Sequence, residues 1–513
     1  MDRWVDRIRK DTLASSDPVG TIAYRWGISH LNRHAERPPR DRAPQVARRQ
    51  RHGVISHNAC CVNSHGSIRC RHPLYSGRRA VINMYDVAVV GAGFAGVVAA
   101  RDLSAEGYSV VLCEARDRIG GRTYTGEAFG RSVEFGGAYA HWTQPHIWRE
   151  LTRYGMGLSA PMEAERVHWL ADGVVHSGTA AEYASLCGPL IARYLHDARA
   201  RFPQPFDLAA ADTGAIEKET LGDRLDALNL SAYDRDVLDG MLASLVHSYS
   251  EQGIAQFLLW AATTFGDWGA FLETAGAWPI AGGTKRLLDA IAGESKAELR
   301  LSTPVTAVED DGAGVTVTTR EGDRVRARYA VVALPLNTLG DVIITPAVAR
   351  PVRTMIEQKH PVKALKLWVR VRGEIAPFAA GAPVGKHPVN AARTEYHHDG
   401  DTLVMCFCSD ASAIDGDDRA AVQRALRAFV PGIEVVDTAC HDWVADPFSQ
   451  GAWAHHRPGN LTQAAPLMRE PHGRIRFAGG DIAAIGVGGI DGAIETGVQA
   501  ARGIARALAG DGA

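Results

Sequence analysis

With 513 residues, 46% of them apolar and 22% charged, the chain is long enough for roughly two to four domains around sizeable cores. No apolar run approaches the ~18–20 residues that would span a bilayer as a helix, so a membrane anchor is not expected. The formal net charge of −2 hides an asymmetry: residues 1–83 hold sixteen Arg plus Lys against six Asp plus Glu, and the rest of the chain is acidic.

The basic segment carries six His and several Pro and lacks sustained apolar periodicity. Arg78-Arg79 is not followed by the apolar stretch a secretion signal needs. A nucleic-acid arm or a transit peptide fits this composition less well than a disordered or loosely packed extension, with Met84 a candidate true start. Cys60-Cys61 and Cys70 lie in this segment, Cys406 and Cys408 alternate on a strand, and Cys113, Cys187 and Cys440 are isolated. That spacing forms neither a metal site nor a disulfide framework, and it suits a reducing, cytoplasmic compartment. The adjacent pairs His397-His398 and His455-His456 read as surface or loop residues.

From Tyr85 the pattern sharpens. A Val-rich run to Val90 leads into Gly91-Ala92-Gly93-Phe94-Ala95-Gly96, then a helical stretch closed by Gly107, then a second apolar run ending at Cys113 and Glu114. This is a strand, a glycine turn, a helix and a strand, with the spacing a dinucleotide-binding unit requires. Residues 150–270 read mainly as helix, for example Ala180–Leu195 and Leu221–Leu245, and look like an insertion. Short strands follow at Val305–Val308, Val315–Thr319 and Ala327–Leu334. Residues 362–371 alternate apolar and polar side chains, and Thr402–Cys408 is a second candidate strand of a half-buried sheet. A strand at Ile475–Ala478, a glycine-rich loop and a helix from Gly492 to Leu508 end the chain.

The glycines Gly91, Gly93 and Gly96 permit the tight turn, the close approach of backbone to pyrophosphate, and close helix–strand packing. Glu114 stands where a carboxylate accepts hydrogen bonds from ribose hydroxyls, and its charge disfavours a 2′-phosphate and hence NADP. Arg116 and Arg122 offer cationic donors for phosphate oxygens.

Residues 114–123, Glu-Ala-Arg-Asp-Arg-Ile-Gly-Gly-Arg-Thr, resemble the extended signature of the flavin amine oxidase family. Glu134-Phe135-Gly136-Gly137-Ala138-Tyr139, Phe477-Ala478-Gly479-Gly480-Asp481 and Gly488-Gly489-Ile490-Asp491-Gly492 continue the likeness, which covers residues 84–513. It implies an α/β fold, a Rossmann-like FAD-binding domain (84–155, 275–345 and 456–513) carrying an inserted α+β substrate domain (156–274 and 346–455). It also implies cofactor contacts at Gly91, Gly93, Ala95, Gly96, Glu114, Ala115, Arg116, Gly121, Arg122, Gly136, Gly137, Ala138, Tyr139, Val305, Gly480, Asp481 and Ile490. Asp481 is shorter than the glutamate more usual there.

The same likeness places Lys363 as the catalytic strand lysine beside the flavin, with Lys359 and Lys366 as competitors. It places Trp453 as one aromatic wall of the amine site and Tyr139 beside it. The second wall falls on Gly489, which opens space for a bulkier or secondary amine. Ala452 stands where some relatives tether the flavin through cysteine, so FAD is expected without a covalent link.

The implied activity is oxidation of a C–N bond in a small amine to an imine. Either O2, giving H2O2, or an electron-carrier protein would reoxidise the flavin, and the family resemblance allows a homodimer. Tyr139-Ala140-His141-Trp142 and the Trp260–Trp278 segment lean toward oxidases of nicotine-type amines. The rival readings are an L-amino-acid oxidase, for which Arg193, Arg353 or Arg370 would hold the carboxylate, a carbon–carbon desaturase, and a non-catalytic flavin-binding protein.

Overall fold

A computed structural model describes residues 84–511; the basic segment 1–83, read above as an extension, lies outside the described residues. Two large sheets organise the rest. The first runs Ile343–Thr345, Val305–Asp310, Val315–Thr319, Arg324–Val332, Tyr85–Val90, Val110–Cys113, Glu298–Arg300, with Ile475–Phe477 paired to the far half of Arg324–Val332. Tyr85–Val90 is central and parallel to both neighbours, Val90 pairing with Val332 on one side and Cys113 on the other. It is buried on both faces, which is why it reads as a continuous Val-rich run.

Helices cover this sheet. Phe94–Ala105 buries nearly every residue, because the C-terminal helix Ile490–Gly510 lies against its outer side. The approach is close: a Cβ on Gly497 would stand 2.4 Å from the carbonyl oxygen of Ala95, so only glycine fits there.

The second sheet runs Val435–Cys440, Leu365–Val371, Asp401–Cys408, Ala391–His398, Phe378–Gly381, Arg166–Ala171, Val174–Gly178. Its last two strands form a hairpin inside the stretch expected to be helical. The signal was present in Asp172-Gly173, both at positive φ (54° and 76°), a pair that closes a two-residue hairpin turn. The expected Leu221–Leu245 helix is also two, Leu221–Ala227 and Ala232–Leu242; Asn229 at positive φ breaks the first and Ser231 caps the second. These helices and Ile254–Thr263 enclose an aromatic core in which Phe257 stacks on Trp268 and Trp260 on Phe271. Among the described residues, no helix is long and apolar enough to cross a membrane.

Candidate functional site

The nucleotide end is built on the first glycine turn. Gly91 has φ +97°, and a Cβ on Gly96 would stand 1.8 Å from the Gly91 carbonyl oxygen, so both shape the turn itself. Gly93 differs: a Cβ there would meet only the Gly121 Cα at 3.9 Å. The helix that follows has no side-chain cap and no acid in its first turn. Its amide groups are therefore free to bind an anion that the open face at Gly93 can admit, and a dinucleotide pyrophosphate fits.

Glu114, buried at the end of Val110–Cys113, is held by two backbone donors, Ala92 N (2.7 Å) and Arg116 N (2.9 Å). Thr303 N donates to the Glu114 carbonyl (2.7 Å), which brings half-buried Val305 near the Glu114-Ala115 segment. Arg116 makes contacts that the sequence did not announce. Its Nη2 is engaged by Asp446 (2.7 Å) and Ser449 (2.8 Å), so it also fastens a distant loop.

Farther along, Arg122 pairs with Asp481 and donates to the Ala452 carbonyl (3.1 Å). Burial works to raise the Asp481 carboxyl, but the Arg122 charge overrides it and holds the group below its ordinary value. A Cβ on Gly136 would stand 2.1 Å from the Arg122 carbonyl oxygen, and one on Gly137 would touch the Ile490 side chain at 3.7 Å. Gly121, Arg122, Gly136, Gly137 and Ile490 are thus neighbours, with Ala138 buried behind them. Gly480 packs on the Gly489 carbonyl, where a Cβ would stand at 2.8 Å. Gly137 and Gly489 are nevertheless exposed, and the helix starting at Ile490 has no side-chain cap. Bare backbone at both positions suits a flat ring system lying against it.

The buried lysine of this region is Lys366, three residues after Lys363. Lys363 is exposed and precedes its strand, which begins at Leu365. Lys366 is 5% exposed, donates to the Gly136 carbonyl (3.1 Å), and stands 5.3 Å from the Tyr139 ring centre. Burial pushes its ammonium down to about 8. The strand lies next to the edge strand Val435–Cys440 and is buried on both faces, so polar–apolar alternation could not choose between the two lysines. Leu365-Lys366-Leu367-Trp368 held a usable signal, because a spacing of two puts Lys366 and Trp368 on one face.

Tyr139 donates to Glu395 Oε1 (2.8 Å), which also accepts from Arg393 Nη2 (2.6 Å), and the Arg393 guanidinium lies 5.0 Å from the Tyr139 ring centre. Phe407 pairs in register with Lys366, and its ring meets Trp453 edge to face, 6.0 Å between centres and 87° between planes. Sequence reasoning missed Glu395, Arg393 and Phe407, which become neighbours only through strand pairing. It also misplaced His455 and His456: both are fully buried, His455 against Phe257 and Trp260, and His456 against the Asp481 carbonyl (2.8 Å).

Comparison with known proteins places this strand–turn–helix, its bare glycine backbone and its buried lysine within a family. Residues 94–505 match the family described as flavin containing amine oxidoreductase. The chain is 35% identical over 437 residues to pseudooxynicotine dehydrogenase of Pseudomonas sp, covering 83% of this chain and 87% of that protein. It is 32% identical over 422 residues to (S)-6-hydroxynicotine oxidase of Paenarthrobacter nicotinovorans, covering 80% and 97%. The fold is similar to that of putrescine oxidase bound to putrescine, with TM-score 0.71 and 22% identity over 83% of this chain and 99% of that one. The chain belongs to the flavin-containing amine oxidoreductases, enzymes that use FAD to oxidise small amines.

Proposed function

We propose that the chain oxidises a secondary or nicotine-type amine at the carbon beside nitrogen, in a site bounded by Trp453, Phe407 and Lys366. In this reading the first sheet and its covering helices (84–155, 275–345 and 456–513) hold FAD without a covalent bond, and 156–274 with 346–455 shape the amine pocket. FAD supplies the two-electron acceptor that takes a hydride from the amine carbon.

The observation that carries the reading is Gly489, an exposed position without a side chain beside the Gly480–Ile490 backbone. With no aromatic ring there, Trp453 has Phe407 as an edge-on partner, which leaves width for a ring or an N-substituent. Relatives named for nicotine-type amines support it. The Lys366 ammonium beside Tyr139 disfavours a second ammonium ion, so the pocket selects the neutral amine.

The arginines weighed for an amino-acid carboxylate are placed elsewhere or engaged: Arg193 on the Leu228 carbonyl, Arg370 on Asp401, and Arg353 exposed on its helix. Arg393, at the site, is already neutralised by Glu395.

The test is anaerobic mixing with arylalkylamines, polyamines, amino acids and nicotine-type amines while the visible flavin band is recorded, followed by admission of air. Bleaching by the nicotine-type or secondary amines is the expected result, and recovery in air gives O2 as acceptor. Bleaching by amino acids alone, or by none, would sink the proposal. A persistent bleach in air that a redox protein reverses would assign the acceptor to a carrier.

Gly489→Phe tests the width directly. The backbone there has φ −104°, and a Cβ would crowd only the Gly486 carbonyl oxygen at 3.1 Å, so the chain should accept the ring. We expect kcat/KM for a secondary amine to fall about tenfold or more relative to a slender primary amine. Unchanged selectivity would remove Gly489 from the pocket.

A further inference from the structure

We infer that Phe448, beside the guanidinium groups of Arg116 and Arg320, forms the outer wall of the adenosine end of the FAD site. In a βαβ dinucleotide unit the carboxylate after the second strand takes the ribose, so the base lies beyond Glu114, outside the carboxyl ends of Val110–Cys113 and Glu298–Arg300. The loops that follow these two strands are tied together by Thr303 N to the Glu114 carbonyl (2.7 Å) and Ser302 N to the Arg116 carbonyl (2.8 Å).

Phe448 reaches this place from more than 300 residues away in sequence. Asp446 accepts from Arg116 (2.7 Å), from its own loop at Phe448 N (2.8 Å), and pairs with His441 (2.9 Å); Ser449 accepts a second bond from Arg116 (2.8 Å). The loop is therefore pinned at the end of the Glu114 segment. Arg320 N donates to the Pro304 carbonyl (2.8 Å), and its side chain reaches the same ring. The two guanidinium groups lie 5.5 Å and 5.8 Å from the ring centre.

Phe448 belongs to none of the apolar cores, and it is only half-buried. An aromatic ring kept out of the core, but fixed by an ion-paired loop beside the ribose carboxylate, presents a π surface where a purine would lie. Bases stack or pack on such surfaces without needing hydrogen bonds to identify them. The inference rests on the adenosine carried by FAD and not on the identity of the amine.

The experiment compares Phe448→Leu and Phe448→Trp with the wild-type holoenzyme, reading the FAD dissociation constant from the fluorescence released on dilution. Phe448→Leu should raise that constant about tenfold, while Phe448→Trp should stay within about twofold because an aromatic face is kept. The visible band of the bound flavin should be unchanged in both, since its ring system lies at the other end. Wild-type FAD affinity in Phe448→Leu would overturn the inference. So would an equal loss of affinity in both variants, or a shifted flavin band, either of which would make Phe448 a packing residue of the loop.

Discussion

Replacing Lys366 with Met should lower turnover by about a hundredfold or more, whereas Lys363→Met should leave it within about twofold of wild type because that side chain is exposed. Methionine keeps the length and apolar stem of lysine, so the pocket stays filled and the change reports the ammonium group. The groups facing Lys366 are Glu395 and Arg393 on Ala391–His398 and Glu134 on Arg131–Glu134; the carboxylates favour its charge, and Arg393 opposes it.

With burial leading, the ammonium titrates at about 8. Its positive charge is present below that pH and is lost as pH rises through it. The neutral amine fraction changes in the opposite sense. Wild-type kcat/KM should therefore rise with pH, pass a maximum and fall beyond about pH 8. The falling limb should be missing from the residual activity of Lys366→Met. Wild-type activity in that variant, or a large loss in Lys363→Met, would return the role to another group.

What could be read in the sequence and what could not divides along the range of the interactions. Gly91 to Glu114 carries its own turn and its carboxylate within a short stretch, Ala92 N donating to Glu114, so its strands, turn and carboxylate were legible although distant segments pack on them. Val315–Thr319 matched its expected bounds, and the C-terminal helix runs two residues beyond the expected Gly492–Leu508 at each end. The lysine was not fixed, because Leu365–Val371 is covered on both faces by segments far away in sequence and either lysine could have pointed inward. The bond of Arg116 to Asp446, which a different loop supplies, carried no signal in the sequence. Phe407 carried no signal of its own; its place beside Trp453 follows from the register of Asp401–Cys408 against Leu365–Val371. His455 and His456 were misread because adjacent polar residues ordinarily mark a loop, whereas here the helical insertion covers one and the Asp481 backbone the other.

The two glycines of the first turn should respond in opposite ways to a single methyl group. Gly96→Ala puts a carbon where the Gly91 carbonyl oxygen stands 1.8 Å away, so the turn and the packing of the Phe94–Ala105 helix must shift. We expect a loss of about 3 kcal/mol or more in folding stability, in the range of overpacked core positions, and protein that purifies poorly. Gly93→Ala meets only the Gly121 Cα at 3.9 Å, and its φ of −74° and ψ of −178° are accessible to alanine. The fold should therefore keep its stability within about 0.5 kcal/mol, as at an unstrained surface site.

Flavin binding should nonetheless weaken by about tenfold or more in Gly93→Ala, because the methyl occupies the face across which the pyrophosphate meets the backbone. Thermal unfolding and the flavin-to-protein absorbance ratio of the purified variants separate the two effects. If Gly93→Ala retained FAD as the wild type does, the cofactor would have to cross the sheet somewhere other than this turn, and the roles given to Glu114, Val305 and Phe448 would fall with it.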